Sequence, residues 1–251
     1  MVNMVITGFP AGMFQTNCYV VAAESGGEAI IIDPGQDAAG RVKELLAEHD
    51  LTPVAVLLTH GHLDHTWNAA DLCDEFSIPA YIHPSDREML ADPGKGLGRA
   101  LSAVIGALKF REPEKVIEFV DGTDVEVAGL RFGVDHAPGH TQGSVLLTLD
   151  VPVGDGDGGA DAGATVPVCF SGDVLFSGSI GRTDLPGGDH QQLLDSIAER
   201  LLTRPDETQV LPGHGPQTSV GQERLSNPFL ADLTAGSGPA EDTSKKGRFG
   251  L

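Results

Sequence analysis

The sequence lacks any charge-free apolar run of about 18 residues, the length a transmembrane helix needs, so no segment is expected to cross or bind a membrane. Its opening, Met1-Val-Asn-Met-Val-Ile, has no basic stretch leading into an apolar run and a small-residue cleavage site. It does not read as a secretory leader, and the cytoplasm is the expected compartment. Cysteine is scarce: Cys18, Cys73 and Cys169 are widely separated and set among apolar neighbours. They are expected as reduced core residues, not as a disulfide frame. Positive charge is also short, with 16 Lys and Arg against 36 Asp and Glu and a net charge of -20. That balance opposes contact with nucleic acid and argues against a nuclease. Aromatics make up only 5% of the chain, and no Gly-x-Ser-x-Gly element supplies a serine nucleophile.

What is present is glycine, 33 of 251 residues, and 40% apolar residues in short β-branched runs, the composition of a soluble α/β enzyme rich in tight turns. One domain is expected over residues 1–233. Strands are expected at Asn17-Cys-Tyr-Val-Val-Ala-Ala and Glu28-Ala-Ile-Ile-Ile-Asp, then a helix over residues 38–49 with Val42, Leu45 and Leu46 on one face. Val54-Ala-Val-Leu-Leu-Thr reads as a buried strand, residues 66–76 as a second helix, Ala80-Tyr-Ile-His as a strand and Pro84-Ser-Asp as the start of another helix. Residues 92–115 read equally well as a cover over a site or as a plain surface insertion. Residues 116–150 have the pattern of a meander, 166–170 of a strand, 191–202 of a helix capped by Asp189, and 208–211 of a further strand. The Gly- and Asp-rich stretch at 152–165 reads as a flexible acidic insertion, since a calcium loop would need a closing Glu it lacks. Residues 234–251 read as a disordered tail.

The densest chemistry lies in Thr59-His60-Gly61-His62-Leu63-Asp64-His65, three imidazoles and a carboxylate directly after an apolar strand. Imidazole nitrogen and carboxylate oxygen suit zinc, iron and manganese alike, so donor type leaves the metal open. Three further strand ends follow the same grammar: Pro138-Gly-His140-Thr, Ser171-Gly-Asp173 and Pro212-Gly-His214-Gly. In each, a Gly or Pro turn aims the side chain above the end of a sheet. The seven donors His60, His62, Asp64, His65, His140, Asp173 and His214 exceed what one tetrahedral ion takes, and imply two metals sharing a carboxylate. His83, His190, His136 and His49 are expected to pack, face solvent or cap a helix.

These motifs, with Asp33 in its Ile-Ile-Asp-Pro-Gly turn, resemble the metallo-β-lactamase superfamily from about Asn17 to Leu230. The segment Gly172-Asp-Val-Leu-Phe-Ser-Gly-Ser-Ile-Gly-Arg182-Thr-Asp-Leu-Pro-Gly-Gly-Asp, and the ending Gly213-His-Gly-Pro-Gln-Thr, are similar to its compact bacterial glyoxalase II-like (hydroxyacylglutathione hydrolase-like) branch. The resemblance implies an α/β fold: a four-layer αβ/βα sandwich of two mixed β-sheets flanked by helices. It assigns one metal to His60, His62 and His140, the other to Asp64, His65 and His214, and the bridging place to Asp173. It also implies two divalent ions, zinc first with iron or manganese as alternatives, and makes Asp33 a partner for a ligand histidine. The reaction it implies is hydrolysis of a small-molecule thioester, a 2-hydroxyacyl thiol conjugate first, by a hydroxide between the two ions that Asp64 helps orient. Arg182 is expected either to meet a substrate carboxylate or to order its loop through Asp184. The larger glyoxalase II enzymes hold glutathione with a C-terminal helical region for which residues 215–251 are short, so the thiol carrier stays open. A one-iron persulfide dioxygenase on the same scaffold is the alternative, disfavoured because Ser-Gly-Ser-Ile-Gly-Arg follows Asp173 where that branch has a Cys-Gly version. A true β-lactamase fits less well with Asp173 in the bridging place, and a non-catalytic metal-binding protein would be marked by a lost ligand.

Overall fold

A computed structural model describes residues 4–98, 108–152 and 164–234. The first sheet has the order β1 (Val5–Ala11), β2 (Thr16–Ala22), β3 (Glu28–Ile32), β4 (Thr52–Leu57), β5 (Ala80–Ile82), β6 (Val116–Glu118). Its first three strands are antiparallel and the rest parallel. The second sheet has the order β14 (Thr218–Ser219), β13 (Gln209–Pro212), β10 (Thr165–Gly172), β9 (Val145–Pro152), β8 (Leu130–His136), β7 (Thr123–Val127).

Strand alternation decides how the sheets stack. On β3, Ala29 and Ile31 face helix α1 (Ala38–Glu48) and helix α3 (Ala69–Phe76), while Ile30 and Ile32 face the other sheet. On β9 and β10, Val145, Leu147, Val168 and Phe170 answer them between the sheets. Leu146 and Cys169 point outward onto Leu193 and Ile197 of the helix that runs from His190 to Leu201, its last turn π-type. Because successive side chains take opposite faces, strands apolar at every position must be covered on both sides. The result is the expected four-layer sandwich of two mixed sheets flanked by helices. All three cysteines are buried and free. Among the described residues no helix is long and apolar enough to cross a membrane.

Several boundaries differ from the sequence reading. Val116–Glu118 does not join a meander: β6 pairs parallel with β5 in the first sheet, Val116 packing on the helix side and Phe119 between the sheets, before the chain crosses over. The helix expected over 66–76 starts earlier and is broken, with α2 spanning Leu63–Thr66 and α3 beginning at Ala69. Asn68 makes the break, since its N–H donates to Pro34 O at 2.9 Å and its side-chain oxygen accepts from Ala39 N at 3.2 Å. Residues 84–90 form a 3-10 helix. The acidic stretch and the tail lie outside the described residues, apart from their first or last positions.

Candidate metal centre

The C-terminal ends of β3, β4, β10 and β13 lie at one edge of the sandwich, and the chain turns there onto Asp33, Thr59-His60, Asp173 and His214. The β8–β9 connection brings His140 to the same edge. A bridge between Thr16 and His214, with Asn17 N donating to Gly213 O at 2.7 Å, ties the two sheets together beside it. Thr16 Oγ1 also donates to Asp64 Oδ2 at 3.0 Å.

All seven expected donors converge. In each of three sets, His60/His62/His140, His60/His65/Asp173 and Asp64/His65/His214, the donor atoms lie within 4.8 Å of one another. Asp173 Oδ2 is 3.6 Å from His140 Nε2 and 3.5 Å from His214 Nε2, so a single oxygen reaches both halves of the cluster. His214 Nε2 is 3.2 Å from Asp64 Oδ2, and His65 Nε2 is 3.3 Å from Asp173 Oδ1.

The surrounding hydrogen bonds set the tautomers. His140 Nδ1 donates to Arg182 O at 2.7 Å, which leaves Nε2 bare. Thr59 Oγ1 donates to Asp33 Oδ2 at 2.6 Å and so accepts from His60 Nδ1 at 3.1 Å, leaving His60 Nε2 bare as well. These two lone-pair nitrogens face each other across 3.2 Å. His62 Nδ1 lies 2.9 Å from His140 Nε2 as well, so three imidazole nitrogens crowd one point, an arrangement that a bound cation would relieve. Three buried polar atoms here have no hydrogen-bond partner: His62 Nε2, His65 Nε2 and Asp173 Oδ1. Buried polar groups are seldom left so, and the donor set fits divalent cations.

Electrostatics follow the same division. Burial, then the charges of His65 and His140, hold His60 well below the usual imidazole range. Burial and then His140 push His62 down to about 3. Burial opposes charge on His65, but Asp64, Asp173 and Asp33 outweigh it and raise that imidazole. Burial likewise works against ionised Asp64 and Asp173, yet His65 and His214 keep both below the ordinary carboxylate range. His60 and His62 are thus held neutral and Asp64 and Asp173 ionised, the states in which these groups bind metals, whereas His65 and His214, both raised beside the carboxylates, would give up a proton to a bound cation.

Asp33 sits behind the donors, and Arg182 beside them. Asp33 accepts from Thr59 N at 2.8 Å and from His65 Nδ1 at 2.9 Å. Arg182 contributes its backbone carbonyl to His140, while its guanidinium makes a bidentate pair with Asp184 at 2.7 and 2.8 Å. His83 and His136 stack away from the cluster, ring centroids 4.1 Å apart, His190 opens its helix and His49 follows the end of α1.

Sequence reasoning missed Asp86. This buried carboxylate accepts from Gly61 N and Gly143 N, each at 2.8 Å, and from Thr141 Oγ1 at 2.6 Å, clipping the His60-Gly-His62 turn to the loop that carries His140. The nearest signal was its place in Pro84-Ser-Asp, which reads as an ordinary helix-start acid. Gly213 was noted only as a turn residue. A Cβ there would stand 2.3 Å from Asp173 Oδ1 and 2.6 Å from His65 Cε1.

A cavity of about 540 Å³ opens onto the donors. Leu97 and Leu108, which flank the undescribed part of segment 92–115, line it, and Phe110 packs edge-on against Trp67 in its wall.

The family model of the metallo-beta-lactamase superfamily matches residues 11–153 and 157–214. The hydroxyacylglutathione hydrolase GloC of Haemophilus influenzae is 34% identical over 88% of this chain and 95% of its own length. The crystal structure of the B3 metallo-beta-lactamase BLEG-1 is similar at 39% identity and TM-score 0.74, covering 90% of this chain and 99% of that one. The structure of TTHA1623 in a di-iron-bound form is similar at 36% identity and TM-score 0.69, covering 89% and 100%.

Proposed function

The chain belongs to the metallo-beta-lactamase superfamily, and from that premise we propose that it is a dinuclear-metal hydrolase of thioesters, with a 2-hydroxyacyl thiol conjugate as the first substrate candidate. The observation that carries this reading is the double reach of Asp173 Oδ2, 3.6 Å from His140 on one side and 3.5 Å from His214 on the other. His60, His62 and His140 would hold one ion, Asp64, His65 and His214 the second, and Asp173 both. Zinc suits this nitrogen and oxygen set, and the di-iron form of TTHA1623 makes iron the alternative. Divalent ions held there would supply water acidified to near neutral pH and Lewis acidity toward a carbonyl oxygen.

The chain's own residues supply the rest. Asp64 Oδ2 is held by Thr16 Oγ1 at the floor of the cavity, where it can accept a proton from an attacking water and fix its direction. Asp33 and the Arg182 carbonyl orient His65 and His140 so that their remaining nitrogens face inward.

The similarity to GloC supports thioester hydrolysis. The 39% identity to BLEG-1 supports a second reading, β-lactam hydrolysis, which needs the same nucleophile and the same polarised carbonyl. An assay with metal-loaded protein separates these readings. Thiol release from a 2-hydroxyacyl thioester, with slower or no opening of a β-lactam, is expected. The opposite order would favour the lactamase reading. Oxygen uptake with a persulfide would favour a dioxygenase, and metal binding without turnover of any of them a non-catalytic role.

A further inference from the structure

The wall of the cavity carries information that the donor cluster does not. Phe14 comes from the β1–β2 turn, Leu63 and Trp67 from α2 and its end, Leu97 from the 3-10 turn at 93–96, Phe176 from β11 (Leu175–Phe176) and Leu185 from the loop after Arg182. Five separate segments thus place apolar side chains around one opening. Leu63 and Leu97 are buried against each other, with Trp67 and Phe110 packed on them. At the mouth, Met13 is 74% exposed and Leu108 51%, large apolar groups left in water.

Among the described residues, little charge lines the cavity outside the donor cluster. Among the described lining residues outside the donor cluster, Arg182 is the one charged side chain, and Asp184 already occupies its guanidinium in a bidentate pair. Gln36 is the one neutral polar side chain, and its Oε1 accepts from Met13 N at 3.2 Å. A thiol such as glutathione carries two carboxylates and an ammonium. Burying these against Trp67, Leu63 and Leu97 would strip their hydration without returning hydrogen bonds.

We infer that the preferred substrate is a thioester bearing an uncharged alkyl or aryl group, on the acyl or on the sulfur side, that lies against Trp67 and Leu63 in preference to a glutathione conjugate. This rests on the thioesterase reading above and specifies its substrate class. In the reaction, water adds its hydroxyl to the carbonyl carbon as the C–S bond breaks, and the sulfur leaves as thiol with the remaining proton.

Trp67 is the sole tryptophan of the chain, so its fluorescence reports occupancy of the cavity without any turnover. The probes are non-hydrolysable thioethers: an uncharged S-alkyl series from ethyl to hexyl, and S-hexylglutathione. Saturable change in Trp67 emission is expected for the uncharged series, tightening about twofold to fourfold per added methylene, with S-hexylglutathione at least tenfold weaker than the uncharged hexyl compound. Phe14→Glu, a change at the half-exposed mouth and outside the donor set, is expected to weaken hexyl binding at least fivefold. In the turnover assay, kcat/KM should rise with chain length, and separate acyl-side and thiol-side series identify which group enters. Affinity independent of chain length, or glutathione thioesters bound and cleaved best, would overturn the inference and leave thioester hydrolysis intact. Tight binding of the uncharged series with no thioester cleaved would uphold the apolar pocket and overturn the hydrolytic reading on which the substrate class depends.

Discussion

His65 donates from Nδ1 to Asp33 Oδ2 across 2.9 Å, and both side chains are buried. Asp33 ends a strand at φ 50, a left-handed conformation that an Asp tolerates better than most residues. From there its carboxylate collects Thr59 N, Thr59 Oγ1 and His65 together. One residue therefore fixes His65 directly and His60 through the Thr59 hydroxyl.

Asp33→Asn follows from that geometry. An amide can accept with one end, but its NH2 then meets the Thr59 or His65 donor head on. Metal affinity is expected to fall about 10- to 100-fold, read by competition with a chromophoric chelator. Unchanged affinity would show that the Asp33 carboxylate does not position His65.

Asp86→Ala removes the acceptor of two buried backbone N–H groups and of the Thr141 hydroxyl. Each orphaned buried donor costs about 1–3 kcal/mol, less where water enters. A loss of at least about 2 kcal/mol in denaturant unfolding is expected, with weaker metal binding at the His60/His62/His140 set. A change under about 0.5 kcal/mol would mean the clip is dispensable.

Gly213→Ala tests how tightly the cluster is packed. Its Cβ would press on Asp173 Oδ1 and on the His65 ring, so one or both must move. Far-UV circular dichroism is expected to stay native while metal stoichiometry drops. Full stoichiometry would show that the β13 turn has more room than these contacts imply.

Much of this site was legible because its chemistry is local. His60, His62, Asp64 and His65 share one seven-residue stretch, and His140, Asp173 and His214 each follow a Gly or Pro turn at the end of an apolar run. The four layers were legible from strands such as Ala29-Ile-Ile-Ile32, apolar on both faces. Asp86 was not, because its partners lie 25 and 57 residues away and nothing nearby marks it as buried. Val116–Glu118 fits either sheet by its pattern, and its parallel pairing with Ala80–Ile82, with Val116 on the helix side, decides between them. Strand β1 carries Gly8 and Pro10 and was not anticipated; an edge strand accepts Pro, and Gly8 is required because the Tyr19 ring lies 2.5 Å from where its Cβ would be.

Asp173→Ala tests whether its carboxylate is shared. Losing a group within reach of both halves is expected to reduce bound metal and to slow turnover at least about 100-fold. Retention of two ions with normal turnover would refute the bridging role.

The central claim is tested most directly by thiol release measured as metal is added back to the metal-free chain. The account predicts no release without metal, a rate that climbs to its plateau at two equivalents of divalent ion per chain, and one thiol formed per thioester consumed. A plateau at one equivalent would contradict the dinuclear site, and no thiol released at any loading would contradict the hydrolytic function itself.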